Sequence, residues 1–590
     1  MAEPQSTVLP MFHFEQVPTF YEPSPNTLGL ALGLNEFGEV VGISDDAELR
    51  TRGFLYSNGE IEEVPGLFPG AASHPRAVNL WGEVAGSAER MVRLNGHLAG
   101  VSTPVLGPPQ ALSNLLTAEE DAVGRPGTVY AFNSAGIAAL ETNESLFIRA
   151  DGTRQAIGFA DTPEGFGALI GEMNELGQLV GSARRISAGH RMHAIWMDLG
   201  TGEVRDLHDS RAQESFAHAI NNRGVVVGAW IRNSDGRTVP VRWSQGQPEL
   251  LPFLGQDEAG WTARAVDIND AGDILGYSSR NGERRDWLIL GGEGQPRALS
   301  SLDGSAVDPR FDRFMAFAIN NAREIAGAAI TEDANAPLGS RNKPGLLRPL
   351  FGLPPERPST GLWADLQKAG SGIEINRVGE DHFVLWYSYD DQGRPMWFGS
   401  DAIQLERGVW RADLYEHRRN AAGVISRTAV GRGAFTTLNS RNILFHWKLG
   451  SRSGTERYEF LLSDCARTAN AESGSWFEAA KPGYGFSLAR FDGRWAGVGY
   501  LYDQAGAPRW VFVDMGPGLR SAPVKWFEGG ACPGCDYIAP MSRDLGQLTL
   551  DVVSGGLQHS LTVTAGAGAE GLNWSSNAQL TRLSSEMACR

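Results

Sequence analysis

Short aliphatic runs separated by Asn-x-x-Gly turns recur through the first half of the chain. The phrase "HAINNRGVVVGAW" (218–230) has the relatives "LGLNEFGEVVG", "GEMNELGQLVG", "VDINDAGDILG" and "FAINNAREIAG". In each phrase a short strand ends at an Asn, whose side chain can bond nearby backbone, and a Gly three residues later accepts a positive φ. Aliphatic and β-branched residues then follow, which is typical of a buried strand. The pattern therefore predicts a repeated hairpin.

Seven copies of this phrase can be aligned, 41–54 residues apart. Most copies continue with an aromatic strand, a Gly-containing turn and a short closing strand, which makes four strands per unit. That period and strand count are typical of the blades of a β-propeller. We interpret the repeated Asn and Gly as residues that hold turns rather than bind a ligand. The seven aligned residues are Asn35, Asn79, Asn133, Asn174, Asn221, Asn269 and Asn320.

The two ends of the repeat region predict how the ring closes. The seventh copy lacks an aromatic strand and a closing strand before the chain becomes proline-rich. The segment "MFHFEQVPTF" (11–20) resembles the closing strand of a unit. We expect it to complete the last blade, which leaves the ring without an open edge. An open β-solenoid of the same units is the alternative.

The second half contains a different internal repeat. "GLWADLQKAGSGIEI" (361–375) matches "GSWFEAAKPGYGFSL" (474–488), and "LWYSYDDQGRPMWF" (385–398) matches "GYLYDQAGAPRWVF" (499–512). The second phrase of each pair reads as two aromatic strands around a polar turn. We therefore predict an all-β protein: a seven-bladed β-propeller followed by two small antiparallel β-barrel or sandwich modules. The predicted domains are the propeller (1–330), a Pro-rich linker (331–360) and Trp-rich modules at 361–465 and 466–590.

Both repeats resemble known families. Over roughly residues 10–330, the Asn-x-x-Gly and Val-Val-Gly pattern is similar to the HAF-type "probable extracellular repeat" of many secreted bacterial proteins. The paired Trp and Tyr-Asp-x-x-Gly-x-Pro-x-Trp phrases resemble a tandem C-terminal module of secreted gammaproteobacterial proteins. The first resemblance implies a propeller, export and an extracytoplasmic site, and neither resemblance implies an activity.

Charge and hydropathy narrow the location and the partners. Residues 1–355 carry 44 acidic and 28 basic side chains, a net charge of −16, which makes nucleic acid and anionic membranes poor partners. No run is apolar for the roughly 18 residues that a membrane helix needs. The start, "MAEPQSTVLP", has no signal-peptide pattern. The chain is therefore either cytoplasmic or a mature form whose signal was removed; the family resemblance favours the mature form, extracellular or periplasmic.

Four cysteines, all in the second half, predict disulfides and an oxidising compartment. We expect Cys532 to pair with Cys535 inside "GGACPGCDY", and Cys465 with Cys589. A redox pair or half of a zinc site is the alternative for Cys532 and Cys535.

Ten of the sixteen tryptophans also lie in the second half. Exposed indoles would make a platform on which sugar rings or another flat ligand stack. The alternative is that they fill the cores of the modules, which the recurrence of equivalent Trp in both copies favours. The candidates for ligand stacking are Trp363, Trp386, Trp397, Trp476 and Trp510.

No sequence motif for catalysis is present. The chain has no Gly-x-Ser-x-Gly elbow, phosphate-binding Gly-Lys-Ser/Thr loop or His-Glu-x-x-His. We therefore assign no catalytic, cofactor-binding or metal-binding residue. We expect a non-enzymatic exported binding or cell-surface structural protein, with an unknown protein or glycan as partner. The alternative is a secreted polysaccharide hydrolase or lyase, whose carboxylates would converge from different propeller blades.

Overall fold

The chain folds into two compact units, Met1–Pro355 and Glu356–Arg590. The computed structural model describes residues 12–20, 28–94, 97–142, 145–149, 152–159, 161–162, 168–291, 294–299, 313–331, 342–350, 357–461, 473–481, 483–491, 494–553, 556–563 and 574–583. The helices within these ranges include none with the length and hydropathy needed to cross a bilayer.

The first unit is a seven-bladed β-propeller, and each blade is a four-stranded antiparallel sheet. The first strand in the chain is β1 (Phe12–Gln16), which belongs to the seventh blade. Blades 1 and 2 contain β2 (Gly29–Leu34), β3 (Val40–Asp45), β4 (Thr51–Ser57), β5 (Glu60–Val64), β6 (Ser73–Val78), β7 (Val84–Leu94), β8 (His97–Gly107) and β9 (Ser113–Asn114). A short helix, α1 (Ala118–Ala122), follows them.

The remaining blades repeat this order. Blades 3 and 4 contain β10 (Thr128–Phe132), β11 (Ala138–Glu141), β12 (Ser145–Ile148), β13 (Arg154–Ala156), β14 (Leu169–Met173), β15 (Gln178–Arg185), β16 (Arg191–Asp198) and β17 (Val204–Asp206). Blades 5 and 6 contain β18 (Ala212–Ile220), β19 (Val226–Arg232), β20 (Thr238–Ser244), β21 (Gln247–Leu250), β22 (Thr262–Ile268), β23 (Ile274–Arg280), β24 (Glu283–Ile289) and β25 (Arg297–Ala298). Blade 7 contains β26 (Arg313–Ile319), β27 (Ile325–Ile330) and β28 (Asn342–Pro349) in addition to β1.

The seventh blade closes the ring with a strand from the other end of the first unit. Strand β1 pairs antiparallel with β28, from Phe12 opposite Pro349 to Gln16 opposite Gly345. The first strands of neighbouring blades contact one another all the way round, including β26 with β2. The closed propeller and the N-terminal closing strand are thus confirmed, and the solenoid alternative is wrong.

The proline-rich segment differs from the prediction. Strand β28 lies inside 331–360 and supplies the third strand of blade 7, which sequence analysis considered missing. Its prolines fit because Pro344 and Pro349 lie near the two ends of the strand, where a missing N–H costs little. The two units divide after Pro355.

Every first strand of the propeller contains a β-bulge a few residues before the repeated Asn. The ladder shifts between Ala31 and Gly33 in blade 1, for example, and between Ala265 and Asp267 in blade 6. The corresponding shift occurs in all seven blades. A bulge leaves one residue outside the ladder and bends the strand, which redirects its side chains.

The second unit consists of two eight-stranded closed barrels. The first contains β29 (Gly361–Ala364), β30 (Gly372–Val378), β31 (Asp381–Tyr389), β32 (Pro395–Ser400), β34 (Val409–Arg419), β35 (Ile425–Asn439), β36 (Asn442–Leu449) and β37 (Arg452–Phe460), with β33 (Ile403–Gln404) added beside β31. The second contains β38 (Gly474–Phe477), β39 (Gly485–Phe491), β40 (Arg494–Tyr502), β41 (Pro508–Met515), β42 (Ser521–Glu528), β43 (Met541–Val553), β44 (Gly556–Val563) and β45 (Trp574–Arg582). The predicted pair of small β modules is confirmed, and we call them barrel A and barrel B.

Candidate functional site

The repeated Asn residues are buried and tie each propeller blade to the next. In blade 5, Oδ1 of Asn221 accepts the N–H groups of Arg223 and Val225 at 3.1 and 2.9 Å. Its Nδ2 donates to the carbonyl oxygen of Asn269 in blade 6 at 2.9 Å. The same donation to the next repeated Asn comes from six of these residues: Asn35, Asn133, Asn174, Asn221, Asn269 and Asn320.

Blades 2 and 3 are joined differently in the part of the chain that the structure describes. The N–H of Leu80 donates to Oγ of Ser134 at 3.1 Å, and the indole N–H of Trp81 donates to the Ser134 carbonyl at 2.8 Å. The hydrogen-bonded ring therefore passes through all seven blades. This geometry matches the interpretation of the repeated Asn as structural.

The residues that follow the repeated Asn form a second series of polar contacts in six blades, whereas blade 2 has the apolar Leu80 at this position. The N–H of Glu175 donates to Oδ1 of Asn222, and the N–H of Asn222 donates to Oδ1 of Asp270, at 3.0 and 2.7 Å. The N–H of Asp270 donates to Oδ1 of Asn321, whose own N–H donates to Oε2 of Glu36, at 2.7 and 2.9 Å. Each side chain thus accepts a main-chain N–H from the preceding blade.

Three carboxyl groups, those of Glu36, Glu175 and Asp270, share this second series of contacts, and the pKa values of Glu36 and Glu175 are raised. Burial, together with the negative charge of Asp270, raises the pKa of Glu36 to about 8. Burial likewise raises the pKa of Glu175 to about 7, against the hydrogen bonds it accepts from Ser134. Desolvation and like charge both favour the protonated form of a carboxyl group.

A separate pair of carboxyl groups links the first strands of blades 4 and 6. Glu172 and Asp267 are hydrogen-bonded to each other, and burial raises both pKa values, that of Asp267 to about 6. Blade 5, which lies between them, has the small residue Ala219 at the corresponding position. Asp267 also accepts the N–H groups of Ile268 and Ile319, both at 2.7 Å.

Sequence analysis missed this pair, although a signal for it exists. Five blades carry a small residue two positions before the repeated Asn, and blades 4 and 6 carry Glu172 and Asp267 there. A carboxyl at a position otherwise reserved for Gly or Ala marks a place where side chains meet. Chemically, such a pair shares one proton and can act as acid and base.

The two barrels meet through an interface in which equivalent residues make reciprocal contacts. The indole N–H of Trp397 in barrel A donates to the carbonyl of Leu501 in barrel B at 3.4 Å. The indole N–H of Trp510 in barrel B donates to the carbonyl of Ser388 in barrel A at 2.7 Å. Trp397 matches Trp510 in the internal repeat, and Ser388 matches Leu501. The interface therefore has the self-complementary character of a two-fold dimer.

Ring contacts and main-chain bonds follow the same symmetry. Tyr387 lies 5.6 Å from the ring of Trp510, and its equivalent Tyr500 lies 5.7 Å from the ring of Trp397. The N–H of Gly529 donates to the carbonyl of Gly393, while that of Arg419 donates to Gly506. Tyr and Trp rings packed edge to face contribute both area and specific geometry to such a contact.

The predicted stacking tryptophans are all buried, so none of them offers an open face to a ligand. Trp363 and Trp386 lie in the core of barrel A, and Trp476 lies in the core of barrel B. Trp397 and Trp510 lie between the barrels. Their exposed fractions range from 0 to 7%. The stacking interpretation is therefore replaced by a structural one. Three of these indoles fill the cores of the barrels, and the other two pack between the barrels.

A cleft of about 500 Å³ lies where the two aromatic hairpins approach each other. Its apolar wall is provided by side chains of barrel A, among them Met396, Val430 and Leu449, and the hairpin of barrel B provides Ala505 and Pro508. The volume falls within the range of natural ligand sites, and an apolar wall with a polar rim is their usual composition.

Four guanidinium–carboxylate pairs line the same cleft. At its base, Nε of Arg509 lies 2.9 Å from Asp503, and Nη1 of Arg509 lies 3.3 Å from Asp390. This buried group of charges fastens the two hairpins. The four pairs are Arg394–Asp390, Arg418–Glu416, Arg452–Asp391 and Arg509–Asp503. The lining thus combines four positive with four negative side chains.

The cysteines divide into an observed pair and an undescribed pair. Cys532 and Cys535 form a disulfide, and Pro533 between them lines the cleft. Cys465 and Cys589 lie outside the described residues. Among the residues that are described, no group of three or more His, Cys, Asp or Glu side chains is arranged to hold a metal ion.

No protein-family model matches the chain, and no curated protein sequence matches it. Among solved structures, TolB from Acinetobacter baumannii is similar at 11% identity, covering 54% of this chain and 80% of its own, with a TM-score of 0.25. A puromycin-hydrolyzing peptidase of Mycobacterium tuberculosis has 12% identity, coverage of 64% and 61%, and a TM-score of 0.34. A fungal alcohol oxidase of the AA5 family, in complex with copper, has 13% identity, coverage of 86% and 99%, and a TM-score of 0.30. These likenesses are too low to support an argument about function.

Proposed function

We propose that the protein is a non-enzymatic, exported binding protein whose ligand occupies the cleft between barrels A and B. The observation that carries the proposal is the composition of this cleft: an apolar wall beside four guanidinium–carboxylate pairs. At the buried base of the cleft, a charged ligand would have to separate Arg509 from Asp503 and leave one of these charges without its partner. A neutral, hydroxyl-rich ligand instead adds hydrogen bonds to groups that keep their partners. A segment of glycan has this chemistry.

The propeller supports the same proposal by what its polar groups already bind. The central Asn side chains and the carboxyl groups of Glu36, Glu175 and Asp270 accept or donate hydrogen bonds to the adjacent blade. Groups committed in this way stabilise the ring, and they are not poised to receive a substrate. We therefore assign the propeller the role of a rigid scaffold.

Export is supported by the disulfide and by the family resemblance of the repeats. Disulfides such as Cys532–Cys535 persist in oxidising compartments and are rare in the reducing cytosol. The HAF-type pattern is found in secreted bacterial proteins. We accordingly place the protein in the periplasm or outside the cell, where glycan surfaces are abundant.

Calorimetric titration of the full chain with a panel of neutral and charged oligosaccharides tests the proposal. The variant Ala505→Trp fills the cleft from the hairpin of barrel B and should abolish binding. Ala422→Trp is its matched control, because Ala422 occupies the same place in a turn of the same kind, closed by Gly423 N–H to Asn420 O. Binding of a neutral oligosaccharide that A505W loses and A422W keeps is the expected result. Equal binding by both variants, or binding by none, would overturn the cleft as the site.

A second candidate function is supported by the hydrogen-bonded pair Glu172–Asp267 in the propeller. A hydrolase could use such a pair as acid and base. Glycosidases, however, separate their two carboxyl groups by about 5–9.5 Å, which is wider than a direct hydrogen bond. Measuring the release of reducing ends from the same panel distinguishes the functions: turnover that Glu172→Gln abolishes would favour the hydrolase.

A further inference from the structure

The disulfide at the rim of the cleft is asymmetric in its surroundings. Cys532 is 8% exposed, whereas Cys535 lies on an exposed part of the loop. The turn between them is closed by the N–H of Cys535, which donates to the carbonyl of Cys532 at 2.9 Å, with Gly534 at a φ of +79°. An incoming thiolate therefore meets the bond from the side of the exposed residue Cys535 rather than from that of the buried Cys532.

A cation lies beside the protected sulfur. Nη1 of Arg452, on β37 of barrel A, is 3.2 Å from Sγ of Cys532 and equally 3.2 Å from Oδ1 of Asp391. A guanidinium at this distance stabilises a thiolate over a thiol, which makes that sulfur a better leaving group. The carboxylate of Asp391 competes for the same nitrogen and moderates the effect.

We propose that Cys532–Cys535 is a thiol–disulfide exchange site, which accepts electrons from external dithiols. The thiolate of the external dithiol attacks Sγ of Cys535, a new S–S bond forms to Cys535, and Cys532 leaves as a thiolate beside Arg452. The second thiol of the dithiol loses its proton and attacks the dithiol sulfur that is bonded to Cys535. Cys535 leaves as a thiolate and takes up a proton. The dithiol leaves as a disulfide, and Cys535 and Cys532 remain as thiol and thiolate; the two electrons and both sulfurs are accounted for.

A small-molecule disulfide returns the site to its oxidised form by the reverse exchange. The exposed side chains of Tyr537, Ile538 and Met541, which follow the loop in sequence, offer apolar surface near Cys535. A peptide that contains two cysteines with apolar neighbours is the class of dithiol that this surface suits. This inference does not depend on a glycan occupying the cleft.

The first experiment follows reduction of the full chain by dithiothreitol and by glutathione, with alkylation and mass spectrometry to identify each cysteine. We expect a glutathione adduct on Cys535 and not on Cys532. Arg452→Gln should slow reduction by about three-fold or more, since it removes the cation beside the leaving sulfur. Arg457→Gln, an exposed Arg on the same strand, should leave the rate unchanged. Resistance of the bond to both reagents, or adducts mainly on Cys532, would overturn the proposal.

The second experiment measures the thiol of Cys532 directly in a Cys535→Ser variant. The pH dependence of its alkylation should have a midpoint below the ordinary value of about 8.5. Arg452→Gln should raise this midpoint, Arg452→Lys should largely retain it, and Asp391→Asn should lower it further. A midpoint that does not respond to Arg452→Gln would show that the guanidinium only packs against the loop.

Discussion

At the scale of the residue, the repeated phrase encodes two different constraints. The Gly three residues after each Asn adopts a positive φ, as in Gly224 at +76°. Blade 7 has Arg323 there at +61°, and its guanidinium forms a two-bonded pair with buried Asp273 of blade 6. The Gly seven residues after the Asn is required because the neighbouring backbone approaches closely. A Cβ on Gly228 would lie 2.0 Å from the carbonyl oxygen of Phe216.

Replacement of one Asn of the ring should weaken the whole propeller. Asn221→Ala removes a buried donor and acceptor, and leaves the N–H groups of Arg223 and Val225 and the carbonyl of Asn269 with fewer partners. We expect the free energy of unfolding to fall by about 2–3 kcal/mol, measured by urea denaturation. In the control Asn233→Ala, an exposed Asn loses a bond to the carbonyl of Ser210. If Asn221→Ala lowered the free energy of unfolding no more than this control does, the role of Asn221 in joining neighbouring blades would be contradicted.

The turns and the repeat were predictable from sequence because Asn-x-x-Gly is a local signal. The partner of the Asn amide is not local in sequence, since Nδ2 of Asn320 donates to the carbonyl of Asn35, which lies 285 residues earlier in the chain. The β-bulge before each repeated Asn was likewise not predicted from the sequence. Its only sequence trace is the Gly that tolerates the carbonyl of the bent strand.

At the scale of the element, the seventh blade shows what periodicity misses. Strand β1 was predicted because its segment resembles the closing strand of a repeat unit, and the structure places Phe12 and Phe14 on one face of it. Strand β28 was not, because its prolines and the unusual distance from β27 resemble a linker. Tertiary pairing on both sides overrides that local preference: Ala326 faces Leu346 on one side, and Phe14 faces Leu347 on the other.

The closing strand should contribute strongly to stability through one face only. Phe12 is 1% exposed and packs in the cluster that contains Phe14 and Phe314. Phe12→Ala should lower the free energy of unfolding of the propeller by about 3–4 kcal/mol, the cost of a large cavity. His13→Ala alters the neighbouring, exposed residue on the opposite face and should change it by less than about 0.5 kcal/mol. Thermal unfolding of both variants provides the comparison, and similar losses would contradict the assigned register.

At the scale of the whole molecule, the chain uses repetition in two ways. The propeller repeats a blade seven times around a ring, while the second unit repeats a barrel twice and joins the copies by reciprocal Trp bonds. The sequence repeat predicted two modules, but not that Trp397 and Trp510 would cross between them. Equivalent residues in a repeat can serve the core of each copy or the contact between copies, and composition does not distinguish these.

The ring of carboxyl groups should make the stability of the propeller depend on pH. The pKa of Glu36 rises from 4.5 to about 8 on folding, so the folded protein binds more protons than the unfolded chain between these values. Raising the pH through this window therefore lowers the free energy of unfolding. Glu36→Gln should remove the contribution of Glu36 to this decrease in the free energy of unfolding, which is up to about 1.4 kcal/mol per pH unit.

Urea unfolding of the original chain and of Glu36→Gln at several pH values from 5 to 8 measures this difference. The buried histidines titrate in both proteins alike, so their contribution cancels in the comparison. Glu60→Gln, an exposed residue on the outer strand of the same blade, is the control. A constant difference between the original chain and Glu36→Gln across the range would show that Glu36 is already ionised in the folded ring.

The pairing of β1 with β28 sets the order of events during biosynthesis. Phe12 leaves the ribosome early, and its partner Pro349 follows only after six blades have been synthesised. Until then the first strand has no place to dock, and the seventh blade presents an unpaired edge. Under the proposed export, a chain that crosses a membrane N-terminus first would form its closed ring only on the far side, after more than half of its length has emerged. The pairing of β1 with β28 is then the last step in forming the propeller.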